Sequence, residues 1–122
     1  MISKLKNFVV PGLKILLAVA FLMAGAAKLS GAEEMIAMYD QIGFGQWFRY
    51  LTGILEVTAA IGLLIPRTSL YASALLICVM IGAVVTHLFL IGGSAIPAIV
   101  LGSLCSIITY TEIPKTQYKD SF

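Results

Sequence analysis

The sequence predicts an all-α membrane protein: a bundle of four transmembrane helices with a short amphipathic helix between the first and second. Three observations carry this. The 122-residue chain is 60% hydrophobic and only 11% charged, against roughly 25% charged in a soluble domain. A soluble chain this short would bury only about 60–70% of the surface it exposes when unfolded, too little to hide so much apolar side chain. The apolar residues also fall into four runs near the length that a bilayer requires, about 20 residues each. One membrane domain over 1–122 is expected, with spans at about 12–29, 47–65, 70–91 and 95–111.

The first span runs from about Gly12 to Leu29, with Pro11 suited to its first turn because a helix start leaves that N–H unpaired in any case. Lys4, Lys6 and Lys14 ahead of an apolar run, and Ala24-Gly25-Ala26 within it, imitate a signal peptide. With Met1 heading the chain, the segment is expected to stay as the first membrane helix. Ser30-Gly31-Ala32-Glu33 has the spacing of a capping box. In the helix it opens, Met35, Ile36, Tyr39 and Ile42 share one face opposite Glu33, Glu34, Asp40 and Gln41. Too short to span, this segment is expected in the membrane interface, with Trp47 and Tyr50 at headgroup depth.

Pro66 ends the second span, because a residue before proline avoids the helical region. Thr68 or Ser69 is the expected cap of the third. Gly92-Gly93-Ser94 turns the chain again, Ser94 caps the fourth span, and Pro97 is tolerable in its first turn. From Glu112 to Phe122 the chain is expected to be a polar tail, frayed or ordered over a short stretch.

The basic residues predict orientation. With the N-terminus inside, Lys4, Lys6, Lys14, Arg67, Lys115 and Lys119 are cytoplasmic, and only Lys28 and Arg49 fall outside. This satisfies the positive-inside rule with both termini in the cytoplasm, in a bacterial or archaeal inner membrane. The net charge of +2 gives no case for nucleic acid. Cys78 and Cys105 form no CxxC and read as two small buried hydrophobes.

Three ionisable residues stand inside the predicted spans: Lys28, Glu56 and His87. Each costs about 2.5–3.5 kcal/mol at a helix centre by insertion scales, so such residues normally face the bundle interior and pair. All three fall in the outer half. On the second span Arg49, Thr52, Gly53, Glu56, Ala59, Ala60 and Leu63 form one small, polar stripe of the kind that packs on another helix. Phe21, Ala24, Gly25 and Lys28 align on the first span, and Met80, Ala83, Val84 and His87 on the third. Two readings stay open for each residue. Lys28 snorkels to the interface or balances Glu56. Glu56 joins two helices or handles a ligand or proton. His87 packs, or contacts a ligand headgroup, since imidazole both donates and accepts. One histidine excludes bis-histidine haem ligation, and no cluster has zinc spacing. Walker, GxGxxG and GxSxG motifs are absent from the sequence.

Ala20-Phe21-Leu22-Met23-Ala24-Gly25-Ala26-Ala27-Lys28-Leu29 and the block from Ile42 to Val57 that contains Glu56 resemble the DoxX-like family. Leu63-Leu64-Ile65-Pro66-Arg67 and Gly82-Ala83-Val84-Val85-Thr86-His87 resemble its later blocks. The resemblance covers about Leu16 to Ile108. It implies a four-helix membrane protein, with relatives linked to membrane redox complexes and, distantly, to receptor assembly. It supplies no catalytic residues; Lys28, Arg49, Glu56 and His87 match its polar positions and are the candidate ligand-binding residues. The expected function is an accessory membrane subunit without stand-alone catalysis. It would bind a quinone or similar lipid-soluble ligand beside a redox partner, with a homo-oligomer left open. The alternative is an assembly factor for a client membrane protein, its polar cluster purely structural.

Overall fold

The computed structural model describes residues 2–120, with side chains from Asn7 to Ile113. Met1, and Ser121 and Phe122 at the end of the expected tail, lie outside the described residues. Within them the chain is all helical. Helix α1 is Ile2–Ser30, α2 Glu33–Ile42, α3 Trp47–Leu63 and α4 Ser69–Thr86; α4 runs on into a π-helical turn at His87–Ile91, and α5 is Ile96–Asp120.

Three stretches are long and apolar enough to cross a membrane: Asn7–Ser30, Ser69–Ile91 and Ile96–Ile113. Helix α3 has 17 residues, roughly 26 Å at 1.5 Å per residue. The chain is an integral membrane protein turned inside out relative to a soluble one. Phe8, Met23, Ile54, Tyr71, Phe89 and Ile99 are exposed, whereas Arg49, Glu56 and Glu112 are buried. In water that distribution would be prohibitive; in lipid it removes charge from hydrocarbon.

The helices pack as two pairs. Helix α1 lies antiparallel along α3, α4 lies along α5, and α3 against α4 joins them. Close approach of α1 and α3 requires Gly25 and Gly53. A Cβ at Gly25 would stand 2.6 Å from Val57 Cγ2 and 2.9 Å from the Gly53 carbonyl oxygen. Small residues permit such contact where lipid offers no hydrophobic drive between helices. Between the ends of the bundle Leu17, Ala18, Phe21, Ala59, Ala60, Leu76 and Cys105 form a dry core.

Helix α2 matches its expected bounds and buries Tyr39 and Ile42. It ends at Gly43, whose φ of 86° places it in the left-handed region, where its N–H reaches the Tyr39 carbonyl at 3.2 Å. The Gln46 amide then ties it to α3, donating to Ile36 O at 3.1 Å and Asp40 Oδ1 at 2.8 Å. Phe48 is the aromatic anchor, with Tyr39, Phe44 and Trp47 rings 5.7–5.8 Å from it.

Several boundaries differ from expectation. Helix α1 begins well before Pro11, which lies inside it; neighbouring turns and helices can absorb the one bond a proline removes. Ser30 does not cap α2. Its hydroxyl donates to Ala27 O at 3.3 Å within α1, and Ala32 occupies the cap without a side-chain bond. Thr68 sits at the start of α4 but its hydroxyl turns back to Gly62 O at 2.8 Å. Ser94 does cap α5, accepting from Ile96 N–H at 3.2 Å. The expected tail is helical to Asp120.

Candidate functional site

Lys28 and Glu56 form an ion pair, Nζ to Oε1 2.6 Å, with side chains 14% and 2% exposed. The pair follows from register. Lys28 continues the Leu17, Phe21, Gly25 stripe of α1, and Glu56 continues Arg49 and Gly53 on α3. The antiparallel packing that brings Gly25 to Gly53 brings the two charges together. Of the readings open for Lys28, the structure shows pairing.

Arg49 acts about two turns nearer the start of α3 than Glu56. It is buried and donates through Nη1 to the backbone carbonyl of Lys28, through Nε to Gln46 Oε1 at 2.7 Å, and lies 4.3 Å over the Tyr50 ring. Carbonyls in the last turn of a helix lack intrahelical donors and carry partial negative charge, so a guanidinium there both satisfies and neutralises.

A cavity of about 510 Å³ opens beside this pair, within the range of small-molecule sites. Lys28 and Tyr39 reach it from α1 and α2, and Phe48, Leu51, Thr52 and Leu55 from α3. Cys78, Val79, Met80, Gly82, Ala83 and Thr86 line it from α4, with His87 and Ile91 from the π turn. Its wall is mainly apolar. Leu51, Cys78 and Gly82 are exposed, and beyond the Gly82 Cα there is open space. The cavity therefore opens sideways between α3 and α4, on an exposed face, as well as lying under α2.

Of the four candidate residues, Lys28 and His87 line the cavity, Glu56 stands behind Lys28, and Arg49 faces the end of α1. His87 does not join the ion pair. Its Nδ1 lies 2.9 Å from the Gly92 carbonyl, across a π turn closed by Gly92 and Gly93 at φ 70° and 77°. The sequence reads as an unbroken helix here; a π turn often marks a functional position. Burial pushes the Tyr39 hydroxyl above its ordinary pKa, against the opposing hydrogen bond with Thr52. Cys78 departs from expectation: it is exposed at the cavity mouth, whereas Cys105 is buried.

A second polar centre lies at the other end of the bundle. Lys14 pairs with Glu112 at 2.5 Å, side chains 16% and 6% exposed. Nearby Thr109 Oγ1 donates to Ser73 Oγ at 2.7 Å, joining α5 to α4. The sequence reading leaves Lys14 among topology charges and Glu112 in a tail, and misses this centre. A signal exists in the heptad spacing of Lys14, Phe21 and Lys28 on α1, and of Ala98, Cys105 and Glu112 on α5. Buried pairing of Glu112 places it inside the bundle, within α5.

Residues 12–108 match the model of the DoxX-like family. The chain is 30% identical over 101 residues to the protein YdgD of Bacillus subtilis (strain 168), itself uncharacterized, covering 80% of this chain and 88% of that one. No solved structure matches.

Proposed function

The chain belongs to the DoxX-like family, and from that premise we propose that it is an accessory membrane subunit that takes a quinone-type lipid-soluble ligand into the cavity beside Lys28. The observation that carries this reading is the cavity itself: apolar walls, a few convergent polar groups, and a mouth on the lipid-facing surface between α3 and α4. A ligand dissolved in the bilayer would enter there without crossing water. Lys28 would contact its head, with Glu56 holding the ammonium in place and Arg49 fixing the end of α1 behind it. His87 would meet the head from the π turn. A redox partner subunit would exchange electrons with the ligand, since the proposed role is binding rather than catalysis.

In the proposed topology α3 also crosses the membrane, as the second of four spans. Its outward side chains Leu51, Ile54 and Ile61 are exposed and apolar, and it runs along α1. The basic residues orient the bundle with both termini cytoplasmic and α2 on the outer face.

Cys78 provides the test. At the cavity mouth, it should be alkylated by a membrane-permeant maleimide while buried Cys105 is not. Tetramethylbenzoquinone or its hydroquinone, whose fully substituted rings do not add thiols readily, should slow Cys78 alkylation at saturation. Unchanged Cys78 kinetics with both forms would overturn the ligand-binding reading. Capture of an orphan membrane subunit under those conditions would favour an assembly factor.

A further inference from the structure

The cavity presents hydrogen-bond acceptors more than donors, and this selects a ligand. Each hydroxyl or neutral imidazole has a single proton to give. Thr52 Oγ1 donates to Phe48 O at 2.8 Å and Thr86 Oγ1 to Gly82 O at 2.8 Å. Both protons go to helix backbone, so in the hydrogen bond between Tyr39 and Thr52 the Tyr39 hydroxyl is the donor, and what all three leave toward the cavity is lone pair. His87 is decided the same way. A carbonyl only accepts, so the 2.9 Å contact between Nδ1 and Gly92 O places the proton on Nδ1. In the neutral ring Nε2 is then a bare acceptor, and it has no hydrogen-bond partner among the described residues. Lys28 is the donor-only group of the wall; one of its N–H groups goes to Glu56, and the rest are confined to that one point of the wall.

An oxidised quinone offers two carbonyl acceptors and would find a donor for one of them, at Lys28. A hydroquinone offers two hydroxyl donors to a wall of acceptors. We propose that the cavity binds the reduced, hydroxyl-bearing form of a lipid-soluble aromatic ring in preference to its oxidised form, with His87 Nε2 accepting a ring hydroxyl. This rests on the reading of the cavity as a quinone-type site and adds its redox selectivity. It follows that the reaction class served is one that delivers or removes a hydroquinone, the electrons and protons passing to or from a partner subunit.

The experiment compares tetramethylhydroquinone with tetramethylbenzoquinone on the full chain in detergent, anaerobically, read by protection of Cys78 from alkylation. One additional hydrogen bond should make the hydroquinone bind about three- to tenfold tighter. His87→Asn serves as the variant because its amide N–H can keep the bond to Gly92 while no atom replaces Nε2. It should weaken the hydroquinone by that factor and leave the quinone unchanged. Equal affinities in the wild-type chain, or tighter binding of the quinone, overturn the selectivity while leaving the site standing. A preference that survives in His87→Asn overturns the assignment to His87. Protection by neither compound overturns the site and the selectivity together.

Discussion

Removing Lys28 should cost more than neutralising Glu56, although the two form one ion pair. The asymmetry comes from burial. The Glu56 side chain is 2% exposed and that of Lys28 14%. Lys28 is also two residues from the end of α1, where a long side chain can bend toward the interface. Lys28→Met strands a carboxylate among packed helices, which should cost about 3–5 kcal/mol. Glu56→Gln keeps volume and hydrogen-bonding capacity and leaves a lysine able to find water, for a loss of about 1–3 kcal/mol. In the double variant nothing is stranded, so its cost should fall below the sum of the singles by about 2 kcal/mol or more. Equilibrium unfolding in mixed micelles, as sodium dodecyl sulfate displaces a mild detergent, would measure all three; the single tryptophan, Trp47, reports at the start of α3. Additivity within about 0.5 kcal/mol, as distant independent sites show, would refute the coupling. A costlier Glu56→Gln than Lys28→Met would refute the burial reasoning.

Gly25→Ala should lose about 1–3 kcal/mol by overpacking α1 against α3, whereas Gly12→Ala, whose Cβ meets no atom within 4 Å, should hold or gain up to about 1 kcal/mol; the same unfolding titration separates them. Glu112→Ala should cost about 3–5 kcal/mol by stranding Lys14, far beyond exposed Glu34→Ala at about 0.5 kcal/mol or less; similar effects at both positions would remove Glu112 from the interior. Docking of α2 should weaken in alkali. Burial raises the Tyr39 pKa, so above about pH 10 the undocked segment binds fewer protons than the docked one, and docking is lost as pH rises. Proteolysis of α2 should therefore accelerate between pH 8 and pH 11 in the wild-type chain but not in Tyr39→Phe, and equal acceleration in both would show that Tyr39 is not the cause.

Much of the architecture was legible because it is local. Four apolar runs, one short amphipathic segment, Pro66 and the Gly92-Gly93 turn give the helices their order and approximate ends, and Glu33–Ile42 needed only its own periodicity. The interior stripe of α3, from Arg49 through Glu56 to Leu63, was equally readable, since a 3.6-residue period tells which side chains share a face. Aligned faces say which residues must find partners, but hold no distance between one helix and another. Only packing made Glu56 the partner of Lys28 and Glu112 that of Lys14, and turned Arg49 onto the end of α1. Hydropathy ended the last span near Thr111 because it weighs charge as a cost. In the bundle Glu112 is on the buried stripe and in an ion pair, which offsets that cost at the position where hydropathy ended the span. The π turn, the tautomer of His87 and the cavity that opens past Cys78 likewise depend on where α4 ends against α2 and α3, a tertiary relation that no single segment encodes.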